Sequence, residues 1–382
     1  MKKATLFLLA LLLLFFLVSP SPSQAQGGLE VVQSWTQAQF PSSLTFGISA
    51  SSDANITDIR LSYIVDRVSF AQVRSEVCLE FAPSTQVKEE WTWDMRKSGG
   101  LPPGAEITYW WTLKDARGRS LKTAPIKVSF DDTRYQWRSL SEGKLTLLWH
   151  KGDEAFAQEL MAAAQEALKR LERDTGAHLK RPSRIYIYAN ANELKGAMIF
   201  PQEWTGGVAF TGFGTIAIGI EPSNLLWGEK ALTHELTHLV IDQMTLNPYN
   251  DLPVWLDEGL AMYNEGLLEP QFANYLAKAV IEDSLLSVRS LSSPFSAEPE
   301  KAVLSYAQSY SLVQYLISNY GQEKMLELLL TFEKGSTYDG ALKKVYGFDM
   351  DELDELWQEY IRELFKSATK EQSQVKEVAL VC

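Results

Sequence analysis

Residues 234–238 read His-Glu-Leu-Thr-His, and this pentad holds two of the four histidines in the 382-residue chain. On an α-helix, side chains four apart share a face about one turn up the axis, so both imidazoles can converge on one metal ion. Glu235, beside the first of them, then sits near any water bound to that metal. The spacing achieves this only if the surrounding residues are helical and a third ligand arrives from elsewhere in the chain.

The flanks meet the first condition. Leu232, Leu236, Leu239, Val240 and Met244 recur at helical spacing, with no Pro or Gly between Glu229 and Met244. Asn247-Pro-Tyr-Asn-Asp then breaks the helix. A second helix should start near Pro253, a residue tolerated in a first turn, and it carries Trp255-Leu-Asp-Glu258-Gly-Leu-Ala. Nineteen residues separate His238 from Glu258, enough for a helix to fold back and bring a carboxylate to the metal. His234, His238 and Glu258, with one coordination position left open, form a catalytic type of zinc set. Glu265, seven residues on and on the same face, competes as a ligand. Asp242, four residues after His238, reads as a partner for a metal-bound imidazole or as a helix-surface charge.

His234-Glu235-x-x-His238 followed by Trp255-Leu-Asp-Glu258-Gly-Leu-Ala resembles the gluzincin metallopeptidases. The chain looks closest to the peptidase MA-like proteins and is more distantly similar to the M1 aminopeptidases, whose second motif is N-E-G-x-A. It departs from the M1 pattern in a gap one residue longer and in Asp257, which stands where those enzymes have Asn. The resemblance extends over roughly residues 140–365 and includes Ser305-Tyr-Ala-Gln-Ser-Tyr. In that family a helix of this kind carries a tyrosine that stabilises the tetrahedral intermediate. Carried over, the role falls to Tyr306, with Tyr310 as the rival. The resemblance also implies that the strand before the metal helix lines the cleft and pairs with an extended substrate. Residues 215–220 fit that place.

Together these residues predict a zinc-dependent peptidase with one zinc ion per chain, Glu235 as general base and Tyr306 as hydrogen-bond donor to the oxyanion. Cleavage inside chains is expected, because Gly214-Thr-Ile-Ala-Ile-Gly-Ile-Glu lacks the G-x-M-E-N motif with which M1 enzymes hold a free amine. Its first carboxylate, Glu221, comes only at the strand's end. The alternative from another class is a non-catalytic surface or binding protein with a vestigial or structural zinc site. A further one is a self-processing or very narrow peptidase. The intact Glu235 argues for the enzyme.

The N-terminus predicts an extracytoplasmic protein. Lys2 and Lys3 precede an apolar run from Ala4 to Val18, and small residues at Ser23 and Ala25 follow, as in a cleavable signal peptide over residues 1–25. The apolar run is short for a membrane span, so membrane attachment is expected only if the segment stays uncleaved. Removing the two lysines would take the net charge from −12 to −14. That acidic balance argues against nucleic acid as a partner and leaves an unidentified peptide or protein substrate. Two cysteines, Cys78 and Cys382, make no disulfide framework.

An α+β chain of two domains is expected. Residues 27–137 read as an antiparallel β-sandwich of immunoglobulin or fibronectin-III type. Ile59-Arg-Leu-Ser-Tyr-Ile-Val and Ile107-Thr-Tyr-Trp-Trp-Thr-Leu alternate, and Leu101-Pro-Pro-Gly and Asp115-Ala-Arg-Gly are turns. Residues 138–366 read as the metallopeptidase domain, with a small mixed sheet (strands near 145–149, 184–188 and 215–220), a helix over 155–172 and a mainly helical C-terminal half. Residues 367–382 read as a flexible tail.

Overall fold

The computed structural model describes residues 28–202 and 205–381, with side chains up to residue 367. The expected signal peptide lies outside the described residues.

The N-terminal unit is one antiparallel sheet folded on itself. Its strands are β1 (Glu30–Gln39), β2 (Ser43–Val65), β3 (Arg74–Cys78), β4 (Ser84–Asp94), β5 (Ala105–Asp115), β6 (Ser120–Lys122) and β7 (Ile126–Phe130). The first half of β2 pairs with β1 and β4, the second half with β3 and β5, and the register slips between Ser51 and Ile56. The two halves close on a single core. Leu44, Phe46 and Ile48 come from the first, and Ile59, Leu61, Ile107 and Leu113 from the second. Phe46 meets the edge of Tyr109 at 5.0 Å between ring centroids. The period-2 pattern therefore marks the buried faces correctly, and the layers of the expected sandwich are joined through the long strand β2.

A second sheet follows, built from β8 (Arg138–Glu142), β9 (Leu145–Trp149), β10 (Ser183–Tyr188), β11 (Gly207–Phe210) and β12 (Thr215–Gly219). Its order is β11-β12-β10-β9-β8, parallel in the middle and antiparallel at both edges. Between β9 and β10 runs α1 (Glu154–Thr175), started by Asp153, whose side chain accepts from the Phe156 N–H, and stopped by Gly176 in the left-handed region. Between β10 and β11 lies the short α2 (Ala191–Lys195). Alternation divides this sheet between two cores. Ile185, Ile187, Ile216 and Ile218 pack with the helices, while Tyr186, Tyr188 and Ala217 join the core of the N-terminal unit. The mixed sheet is thus the plate between the two halves.

The remainder is helical: α3 (Leu225–Thr245), α4 (Val254–Glu265), α5 (Pro270–Ile281), α6 (Val288–Leu291), α7 (Pro299–Glu333), α8 (Tyr338–Tyr346) and α9 (Met350–Val381). Gly321, at φ +81°, breaks the helical geometry inside α7. α9 carries helical backbone into the tail expected over 367–382. Among the described residues no helix is long and apolar enough to cross a membrane.

Candidate metal centre

α3 is held by its own apolar face. Leu232, Leu236, Leu239 and Val240 are fully buried, each worth about 1.5–3 kcal/mol relative to exposure. This fixes the rotation of the helix and leaves His234, Glu235 and His238 facing the cleft. The two imidazole centroids stand 4.7 Å apart. Asn264 locks the returning helix to the pentad, donating from Nδ2 to the Thr237 hydroxyl at 2.8 Å. α4 then places Glu258 Oε2 3.3 Å from Nε2 of His234 and 3.5 Å from Nε2 of His238. The three ligand atoms lie within 4.8 Å of one another.

This set fits a metal ion. Glu258 Oε2 is buried with no hydrogen-bond partner, and an acceptor left so is costly unless a cation meets it. Two imidazole nitrogens and one carboxylate oxygen converging with room for a fourth ligand are the donors of a catalytic zinc site. Burial disfavours the imidazolium form of His234, but Glu258 and Glu265 outweigh it and raise its pKa to about 9. His238 is raised as well, with burial opposed chiefly by Asp257. Burial pushes the Glu258 carboxyl up, and the two imidazoles beside it bring it down to about 2.

The outer nitrogens of the imidazoles have carboxylate partners that the sequence reading did not assign. His234 Nδ1 lies 2.7 Å from Glu265 Oε1, and His238 Nδ1 lies 3.0 Å from Asp257 Oδ2. Such partners fix the tautomer and ring orientation of a metal-binding histidine. Glu265 therefore sits behind His234 and is not among the converging ligand atoms. Asp242 does not hold an imidazole either; its hydrogen bond goes to Thr211. The i, i+7 spacing of Glu258 and Glu265 was a signal for a shared helix face, but spacing alone does not say which nitrogen a carboxylate meets.

The cleft strand also differs from the expectation. β12 (Thr215–Gly219) pairs with β10 on one side and β11 on the other, so it has no edge to offer a substrate. The edge strand is β11, a four-residue segment too short to show a period. It lies against the general-base candidate. The Ala209 N–H hydrogen-bonds the Glu235 carboxylate, and a Cβ on Gly207 would stand 2.8 Å from Glu235 Oε1. Burial, the largest influence, raises the Glu235 pKa. Glu221 is exposed in the loop between β12 and α3.

Close packing of α4 on α7 brings in the tyrosine. A Cβ at Gly259 would come within 2.4 Å of the Ser309 carbonyl oxygen, so only glycine permits this approach. Tyr306, on the same stretch of α7, has its pKa raised to about 12 by burial and by the charges of Glu258 and Glu235. It stays protonated and able to donate at neutral pH. Tyr310 is turned elsewhere, packing on Tyr263 and bonding to the Leu268 backbone.

No curated protein matches the chain. Among solved structures it is similar to an M1 zinc metallopeptidase from Deinococcus radiodurans, at 14% identity over 88% of this chain and 95% of that one, with a TM-score of 0.40. It is also similar to aminopeptidase A of Legionella pneumophila in complex with aspartic acid (10% identity, 86% of this chain, 50% of that one, TM-score 0.38). A shorter match is to OgpA of Akkermansia muciniphila (12% identity, 29% of this chain, TM-score 0.22), of which this chain covers 30%. The family model of the peptidase MA superfamily matches residues 163–363, more than half of the chain and all of the metal centre. The chain belongs to the peptidase MA superfamily.

Proposed function

We propose that the protein is a zinc-dependent endopeptidase acting outside the cytoplasm. The observation that carries this reading is the convergence of His234, His238 and Glu258 beside Glu235, with Glu235 lying against the edge strand β11. A zinc ion held by those three residues would polarise a peptide carbonyl and lower the pKa of water. The chain's own residues do the rest. Glu235 takes a proton from the attacking water and passes it to the leaving amine. The Tyr306 hydroxyl donates a hydrogen bond to the developing oxyanion. β11 pairs with an extended substrate through its backbone. Its residues, Gly207, Val208, Ala209 and Phe210, include no carboxylate to bind a free amine, which supports cleavage within chains. The signal-like N-terminus supports action outside the cytoplasm.

The test is metal analysis of the purified protein together with digestion of peptides and their N-acetylated versions. Wild type should carry about one zinc and cut both forms at similar rates, and chelation should stop it. Glu235→Gln should keep the zinc and lose about 10²–10⁴-fold in kcat. A zinc-loaded wild type that cleaves no peptide would sink the peptidase reading. Release of single N-terminal residues from unblocked peptides alone would sink the endopeptidase part.

A further inference from the structure

The metal-binding face of α3 continues toward its N-terminus. Trp227 and Ala231 precede His234, Glu235 and His238 at helical spacing, and none of the five is buried. Trp227 stands about 10 Å before His234 along the axis, and it is 43% exposed. Its neighbour Gly228 faces the other way. A Cβ there would come within 2.3 Å of Ile220, so packing on the end of the sheet fixes this turn with Trp227 outside. The indole borders the start of the edge strand, where a Cβ on Gly206 would lie 3.3 Å from its six-membered ring. The Gly206 carbonyl accepts from the Gly219 N–H at 3.0 Å. Alternation along an antiparallel ladder then turns the N–H and C=O of Gly207 and Ala209 to the open edge, and the Ala209 N–H is found on Glu235. Gly207 presents its polar groups to that edge one residue from the contact with the indole. The opposite wall is the segment after α4. Glu265 meets His234 and Glu269 bonds Lys230, so Leu267 between them is held beside the same stretch of α3, 92% exposed.

We propose that Trp227 is a specificity-determining residue that seats a large apolar side chain of the substrate, an aromatic one best, at one fixed position from the scissile bond. The inference rests on the peptidase reading above. A chain paired with Gly207 on the open edge passes both Glu235 and the indole. Successive side chains of an extended chain point to opposite faces, so one of them is aimed at Trp227 and its neighbours are not. An aromatic ring packs on an indole beyond the area it buries, and Leu267 adds aliphatic cover. A lysine or arginine would bring its charge within one helical turn of the Lys230 ammonium, which Glu269 already holds.

The experiment compares zinc-loaded full-length wild type, Trp227→Ala and Trp227→Phe, with circular dichroism and zinc content checked in each. The first readout is cleavage-site profiling of a peptide library, followed by kcat and KM for one good peptide and its versions with alanine or lysine at the preferred position. The second is calorimetric binding of the same peptides to zinc-loaded Glu235→Gln, with and without Trp227→Ala. The expected result is enrichment of large apolar residues at one fixed position, with kcat/KM about ten- to hundredfold higher for the aromatic than for the alanine peptide. Trp227→Ala should lower that ratio about tenfold or more, through KM, and leave the alanine peptide little changed, while Trp227→Phe restores most of it. An equal loss on both peptides would make Trp227 a structural residue. An unchanged ratio, or no preference at any position, would leave the indole without a substrate contact. Either result, or a preference for lysine, overturns the proposal and leaves the peptidase standing. Selective binding of the aromatic peptide by Glu235→Gln that the second substitution abolishes, with no peptide cut by wild type, would support the subsite and overturn the peptidase.

Discussion

Two clusters in this molecule have nearly the same ingredients. At the junction of the two halves, Asp132 is buried with Arg134 and Tyr188. At the metal centre, Glu258 is partly buried beside His234 and His238, and Tyr306 stands near. In the first, the carboxylate is fully matched. Arg134 donates to it from Nε and Nη2 at 2.8 and 2.6 Å, and Tyr188 donates from its hydroxyl at 2.9 Å. Burial and the Asp132 charge push the Tyr188 pKa up, and its proton stays in that bond. In the second, the cations are imidazoles that can give up their protons, and one carboxylate oxygen has no hydrogen-bond donor. A permanent guanidinium makes a structural anchor, whereas titratable nitrogens and an unspent oxygen leave room for an ion.

Five variants can break this contrast. The largest effect expected is on turnover: Tyr306→Phe should lower kcat by about 10²–10³-fold with little change in KM, as removal of an oxyanion donor does. Tyr310→Phe should not, and steady-state kinetics showing the reverse would exchange their roles. Asp132→Ala should cost about 3 kcal/mol of stability, because it strands a partly buried arginine and a buried hydroxyl, yet zinc content should stay near one per chain. Loss of zinc in that variant would mean that the junction and the metal site are not separable. Glu265→Gln should do the opposite. Zinc affinity should weaken about 10–100-fold in a competition titration, with the melting temperature of the zinc-free chain little changed. The smallest effect is expected from Gly207→Ala, where the added methyl meets Glu235 Oε1 at 2.8 Å. Overpacking of this size costs about 1–3 kcal/mol, and here it should appear as a lower kcat with zinc retained. An unchanged kcat would show that the edge strand yields freely.

Much of the centre was legible in the sequence. The face of α3, the returning helix with Glu258 and the change from strands to helices are written in local periodicity, which a helix or strand expresses wherever it packs. Glu265 and Asp257 were visible as carboxylates near the motif, but their use depends on how α4 is rotated against α3, and that is set by contacts such as Gly259 on Ser309 and Asn264 on Thr237. Choosing Tyr306 over Tyr310 depends on the same packing, since the two lie one helical turn apart.

The sequence by itself determined which residues could bind a metal and which could take a proton, because those follow from residue type and from spacing along one helix. Only the tertiary structure decided which strand borders the cleft. β11 and β12 are close in sequence and both precede α3, but β12 is enclosed between β10 and β11 while β11 ends the sheet. Sheet order is a property of long-range pairing, and a strand's residues do not record which of its edges will be left open.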